Sequence, residues 1–104
     1  MDIIITNIIS ILSGWVGLSS LTDLVAVRNT IFNMRIIEKL RDTPDLVLQV
    51  YIKLQQLRDR VASNMIQRNS SRDFVITLSG ILGEIEAEFP NHNYRSIDVH
   101  YHPP

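Results

Sequence analysis

The sequence predicts an all-α protein, an antiparallel bundle of four helices followed by an extended C-terminal tail. Two observations support this class, and a third excludes cross-links as the source of its stability. Apolar residues recur at intervals of three and four over most of the chain. Proline and clusters of small polar residues interrupt the pattern at only a few places. No cysteine occurs among the 104 residues, so the fold cannot depend on disulfides or on thiolate-bound metal.

The first predicted helix covers about residues 3–13, which are rich in isoleucine. Asp2 can cap its start, and Ile4, Ile8 and Leu12 follow helical spacing. β-branched residues also favour strands, but the four-residue repeat favours a helix. A helix that is apolar on nearly all sides lies at the centre of a bundle or meets a partner.

The second predicted helix covers residues 21–41. Ser20 and Asp23 have the spacing of a capping box at its start. Asn29 and Thr30 are poor helix formers, so a break there would give five helices, and a further break in the third helix would give six. A broad apolar stripe follows this helix, formed by Leu24, Val25, Val27, Ile31, Phe32, Met34, Ile36, Ile37 and Leu40.

The third predicted helix begins at the clearest boundary in the sequence. Thr43 is expected to cap it and Pro44 occupies its first turn, where no backbone N–H is needed. We expect it to reach about Asn69. Asn64 occupies the heptad position after the last apolar residue of the stripe, Val61. The heptad-spaced apolar residues of this helix are Val47, Val50, Leu54, Leu57 and Val61.

The fourth predicted helix covers residues 71–89 and ends before Pro90. Val75, Leu78, Leu82, Ile85 and Phe89 keep heptad spacing along it. Gly80 and Gly83 inside the helix each reduce its propensity by about 1 kcal/mol relative to alanine. Two such residues in one helix predict a close approach by a neighbouring backbone.

Residues 90–104 are predicted to form an extended tail or linker outside a helical domain of residues 1–89. Ile97, Val99 and Tyr101 alternate with polar residues, which is a strand-like period. A lone strand is not stable, so this segment packs along the bundle, pairs with another chain or leads into a larger protein. His100 and His102 would lie on one side of it, but two ligands are too few, and we predict no metal site.

Patterns typical of catalysis are not found in the sequence. All three histidines follow Pro90, and no serine has a G-x-S-x-G setting. The two common glycine-rich phosphate-binding motifs, G-x-G-x-x-G and G-x-x-x-x-G-K-[ST], do not occur. We therefore predict a non-enzymatic protein that binds no cofactor.

The charge balance disfavours nucleic acid as a partner. Ten basic and eleven acidic residues give a net charge of −1. The acidic residues Glu84, Glu86 and Glu88 are interpreted as solvated surface, because a spacing of two distributes them around a helix. A small helical nucleic-acid regulator remains an alternative if the fold gathers scattered arginines into one patch: Arg28, Arg35, Arg58, Arg60, Arg68 and Arg72.

An uncharged apolar stretch at residues 3–21 raises the alternative of a small membrane-anchored protein. Polar residues and glycines interrupt this stretch, and its more continuous part, residues 3–12, has the length of a core helix. Asp2 stands where a secretory signal would carry a basic residue. A buried helix in a cytoplasmic protein is therefore favoured over an anchor.

The favoured function is a protein–protein interaction or oligomerisation module with an adaptor-like role. The first two predicted helices carry more apolar surface than four helices can bury among themselves, and surplus apolar surface usually marks an interaction site. We expect a protein partner or a second copy of the chain, with a homo-oligomer favoured and Trp15 and Phe32 as aromatic anchors. The predicted partner-binding residues are Ile5, Ile9, Trp15, Val25, Phe32 and Ile36.

Overall fold

The computed structural model describes residues 20–63 and 71–94. Within these ranges every regular element is an α-helix, which confirms the all-α class. The first predicted helix, at residues 3–13, lies outside the described residues and remains a prediction. The described helices are α1 (Leu21–Ile31), α2 (Met34–Arg41), α3 (Pro44–Ala62) and α4 (Ser71–Glu88).

Helices α1 and α2 replace the single second helix that the sequence predicts. The break lies at Phe32 and Asn33, not at residues 29–30. Thr30 is still helical, and its hydroxyl donates to the carbonyl oxygen four residues earlier at 2.9 Å. Asn33 has an extended backbone, and its Oδ1 accepts a hydrogen bond from the N–H of Arg35 at 3.0 Å. A side-chain cap that starts α2 therefore fixes the position of the break.

The cap predicted at the start of α1 is present, whereas the start of α3 matches its prediction only in part. The capping box of α1 is confirmed, since Ser20 Oγ accepts from the N–H of Asp23 and the Asp23 carboxylate accepts from the N–H of Ser20, both at 3.2 Å. Pro44 lies in the first turn of α3 as predicted. Thr43 does not cap α3 with its side chain, because its hydroxyl donates to the Lys39 carbonyl oxygen at 2.9 Å. This bond ties the short connection to the end of α2.

Helix α3 ends at Ala62, before the predicted end near Asn69. The hydroxyl of Ser63 donates to the Asp59 carbonyl oxygen at 2.8 Å, which satisfies one of the last carbonyls of the helix. Asn64, the expected seam residue, lies outside the described residues. Helix α4 covers the predicted range except for its last residue, Phe89.

The core consists of one apolar face from each helix. Leu24, Leu54, Phe74 and Leu78 are completely shielded from solvent. On α4 the heptad residues are buried except Val75, which is partly exposed and packs against the core. The heptad stripe of α3 is confirmed in full, because the structure buries Val47, Val50, Leu54, Leu57 and Val61.

The described residues do not make the close approach predicted for the two glycines of α4. Gly80 and Gly83 are both exposed. A Cβ added at either position would meet no heavy atom of the described residues within 4 Å. In the part of the chain that the structure describes, no neighbouring backbone explains why glycine occupies these positions.

The first part of the predicted tail, residues 90–94, is held on the helices through Tyr94. Tyr94 is buried, and its hydroxyl donates to the Phe89 carbonyl oxygen at 2.5 Å. Its ring lies 4.5 Å from the ring of Tyr51 on α3, measured between centroids. The core therefore extends beyond residue 89. The alternating segment with His100 and His102 lies outside the described residues.

Candidate interaction surface

The predicted partner-binding residues occupy three different environments. Val25 is exposed on α1. Phe32 is partly buried and packs against the core, with the guanidinium carbon of Arg28 at 5.2 Å from its ring centroid. Ile36 is buried in the core at 7% exposure, so we correct its assignment as a partner-binding residue. The other three, Ile5, Ile9 and Trp15, lie outside the described residues.

Within residues 20–63 and 71–94, four large apolar side chains are exposed: Leu21 at 38%, Val25 at 51%, Met34 at 77% and Ile76 at 58%. Leu21 and Val25 lie one turn apart on the same side of α1. Met34 belongs to the apolar stripe predicted for one long helix. Because a new helix begins after Asn33, the apolar stripe of α2 no longer includes Met34, and its side chain faces solvent. Ile76 had no predicted role, although it lies on the side of α4 opposite the buried Phe74 and Ile85.

The solvent side of α4 forms a continuous face. Ile76, Gly80, Gly83 and Ala87 recur at helical spacing, and all four are exposed. We call these four residues the outer face of α4. Arg72 and Glu86 lie along one flank of this face, while Asp73 and Glu84 lie along the other.

An open groove adjoins the outer face at the start of α4. Its volume is about 470 Å³. Val61 and Ala62 line it from the end of α3, and Val75 and Ile76 line it from α4. Arg72 lies at its edge, so the groove combines an apolar floor with one positive charge.

A second groove, of about 410 Å³, lies at the opposite end of α4. Its wall includes the side chains of Arg41 and Glu88, which form an ion pair. Four other residues contribute to it: Leu40, Pro44, Phe89 and His92. His92 also contacts the ring of Tyr94, with centroids 5.7 Å apart. This groove has a mixed polar and apolar lining and no exposed large apolar side chain, so it is the weaker candidate for a docking surface.

Two of the three acidic residues near the end of α4 form ion pairs within the chain. Arg28 Nη2 lies 2.9 Å from Glu84 Oε2, and Arg41 Nη2 lies 2.6 Å from Glu88 Oε1. Carboxylates near a helix C-terminus are unfavourable for the helix dipole, and the arginines of α1 and α2 offset this. The interpretation as simply solvated surface is therefore incomplete for Glu84 and Glu88.

Tyr94 is the one described group with a large pKa shift. Burial raises the pKa of Tyr94 to about 12, and the negative charge of Glu86 acts in the same direction. The hydroxyl is therefore protonated and able to donate to the Phe89 carbonyl throughout the physiological range.

Two of the arginines proposed for a basic patch are paired with carboxylates in the described residues. Arg28 pairs with Glu84, and Arg58 Nε lies 3.2 Å from Asp59 Oδ1. Arg68 lies outside the described residues, so the predicted six-arginine surface stays a prediction. Three of its five described positions take part in no ion pair within residues 20–63 and 71–94: Arg35, Arg60 and Arg72.

Residues 20–63 and 71–94 form neither a metal-binding cluster nor a helix that could cross a membrane. There, no group of three or more metal-ligating side chains is suitably placed to hold an ion. No helix within residues 20–63 and 71–94 has the length and apolar character needed to cross a bilayer. The stretch of residues 3–21 that raised the anchor alternative lies almost wholly outside these ranges.

No protein-family model, curated protein sequence or solved structure matches the chain.

Proposed function

We propose that the chain is a non-enzymatic protein–protein interaction or oligomerisation module that acts through apolar helix faces. The observation that supports this most directly is the exposure of large apolar side chains beside a filled core. Single exposed apolar residues are ordinary on protein surfaces. Here Leu21 adjoins Val25 on α1, and Ile76 adjoins an apolar groove, so the exposed side chains are grouped.

Association would remove these grouped side chains from water. Each Å² of apolar surface buried contributes about 25 cal/mol, against which the loss of translational and rotational freedom must be set. Charged residues at the rim, such as Arg72 and Glu86, would set orientation more than affinity. A modest affinity is therefore the expected outcome for any one of these faces.

The antiparallel arrangement predicted for the bundle is part of this proposal. It is supported by which helix ends lie together. Pro44, at the start of α3, shares a groove with Phe89, just after α4. Val61, near the end of α3, shares the other groove with Val75, near the start of α4. Adjacent antiparallel helices with a short connection present their outer faces to solvent along their full length.

The test is the solution mass of the intact chain, measured by light scattering over a wide range of concentration, without and with mild detergent. We expect a mass above that of the monomer that rises with concentration and does not depend on detergent. The double substitution Val25→Asp and Ile76→Asp should reduce this association, because it places charge on both grouped surfaces.

The matched control is the double substitution Ala26→Asp and Gln49→Asp, which adds the same charge at two other exposed positions. It should leave the mass unchanged. A parent chain that stays monomeric at every concentration would contradict self-association. A chain that dissolves only in detergent would instead favour residues 3–21 as an anchor.

A further inference from the structure

Building on the interaction function above, we propose that a second copy of the chain docks on the outer face of α4. The two α4 helices pair antiparallel about a two-fold axis near Gly80. Ile76, exposed beside its apolar groove, is the central apolar contact. The proposal joins three observations: this apolar contact, the distribution of charge along the face, and the open space above the glycines.

The register follows from helical geometry. At 100° per residue, the four residues of the outer face fall within an arc of about 60°. A two-fold axis near Gly80 places Ile76 opposite Gly83 of the second copy, and by symmetry Gly83 opposite Ile76. A glycine without Cβ leaves a recess for the isoleucine side chain, and Gly80 at the axis lets the two backbones approach closely.

The glycines then have an explanation that the described residues of one chain do not provide. A Cβ at Gly80 or Gly83 would meet nothing within 4 Å among the described residues. Glycine at an exposed helical position weakens the helix relative to alanine without any compensating contact within this part of the chain. A neighbour that approaches from outside is the compensating contact that the antiparallel pairing supplies.

The charges identify the occupant as a second copy. Arg72 and Glu86 are exposed on the same flank of the face, about four helical turns apart. Neither takes part in an ion pair among the described residues. A flank that is positive at its start and negative at its end is complementary to itself when reversed. The antiparallel pairing therefore brings Arg72 toward Glu86 of the second copy, and does so twice.

The other flank of the face, with Asp73 and Glu84, is also compatible with the antiparallel pairing. Asp73 would approach Glu84 of the second copy, and two carboxylates would repel. Arg28 of the same chain already holds Glu84 at 2.9 Å, which offsets its charge. Arg28 therefore makes the acidic flank compatible with a second copy.

The expected dimer is weak. Helix α4 has 18 residues and is about 27 Å long. One pair of crossing helices of that length buries less than about 1,200 Å², which is the class of transient complexes. Dissociation constants on the order of 10–100 µM are therefore expected, and measurement must reach those concentrations.

The experiment is sedimentation equilibrium of the intact chain over that range. Ile76→Asp should raise the dimer dissociation constant by about tenfold or more, since it buries a charge at the centre of the interface. Met34→Asp is the matched control, because it makes the same change at a more exposed apolar residue on α2. It should leave the constant unchanged. Circular dichroism checks that each variant retains its helices.

A charge reversal tests the register and the identity of the partner. Arg72→Glu alone should weaken the dimer about threefold to tenfold at low salt, by placing two carboxylates opposite each other. Adding Glu86→Arg should restore the parental dissociation constant. Restoration requires that the two positions face each other between copies, so failure of the double variant to recover would overturn the proposal.

The remaining outcomes separate this proposal from the function on which it rests. If Val25→Asp dissociates the assembly and Ile76→Asp does not, the interaction function stands and the α4 pairing is wrong. If the parent chain is monomeric at every concentration, self-association fails and the α4 pairing fails with it.

Discussion

The ring of Tyr94 lies against the ring of Tyr51, with centroids 4.5 Å apart and planes tilted by 42°. The two residues belong to distant parts of the chain, since Tyr51 is in α3 and Tyr94 follows the turn at Pro90. The Tyr94 hydroxyl donates to the Phe89 carbonyl oxygen. Together these contacts hold residues 90–94 on the bundle and fix the point from which the rest of the chain continues.

The first prediction separates the two contacts of Tyr94. Tyr94→Phe keeps the ring and removes the hydroxyl, so we expect the free energy of unfolding to fall by about 1 kcal/mol. Tyr94→Ala removes both contacts and leaves a cavity, with an expected loss of about 3–4 kcal/mol. Urea unfolding followed by circular dichroism measures both values. Equal losses for the two variants would mean that the ring packing contributes little.

The second prediction concerns alkaline pH. Burial, and secondarily Glu86, raise the pKa of Tyr94 to about 12 in the folded chain, above the ordinary value of 10.0. The fold favours the neutral phenol, so this contribution is complete below pH 10 and is lost as pH rises toward 12. The loss amounts to at most about 3 kcal/mol.

The control for this alkaline effect is Tyr94→Phe, which has no phenol at this position. Stability should fall more steeply between pH 10 and 12 in the parent than in the variant, and the difference measures Tyr94 alone. Identical pH profiles for the two proteins would show that the phenol ionises without penalty in the folded state.

The third prediction concerns the ion pair between Arg41 and Glu88. Both side chains are substantially exposed, at 58% and 34%. A double-mutant cycle with Arg41→Met and Glu88→Gln should give a coupling energy below about 1 kcal/mol, since exposed pairs are screened by water and salt. The coupling should shrink further when the salt concentration is raised. A salt-independent coupling well above this value would indicate a pair shielded from solvent.

Local features of the fold were predictable from the sequence because their causes are local. The capping box joins Ser20 to Asp23, three residues apart, and the structure forms both of its hydrogen bonds. Pro44 marks a helix start through its own covalent geometry. The buried stripe of α3 also follows from spacing alone, which is why its heptad residues were identified correctly.

The break between α1 and α2 shows where this reasoning fails. Low helix propensity at Asn29 and Thr30 suggested a break there, but propensity is a small effect that other contacts override. The cap formed by Asn33 decides the position instead. The shift in phase moves Met34 from the expected core to the most exposed apolar position described.

The candidate surface was less predictable than the fold because it depends on contacts between distant residues. Arg28 and Glu84 are separated by 56 positions, and no periodic pattern connects them. Ile36 looked available because the second predicted helix had apolar residues on several sides, yet the core absorbs it. Only the packed structure shows that Ile76 is the large apolar side chain left exposed on α4.

The last prediction concerns Gly83, which lies on the outer face of α4. Among the described residues of the single chain, a methyl group at this position meets no heavy atom within 4 Å. Gly83→Ala should therefore raise the free energy of unfolding by about 1 kcal/mol through helix propensity. Ala87→Gly, one turn later on the same exposed face, is the matched control and should lower stability by a similar amount. Thermal or urea unfolding must be measured at concentrations low enough to exclude association. Destabilisation by Gly83→Ala under those conditions would show that another part of the same chain lies against α4 at this point.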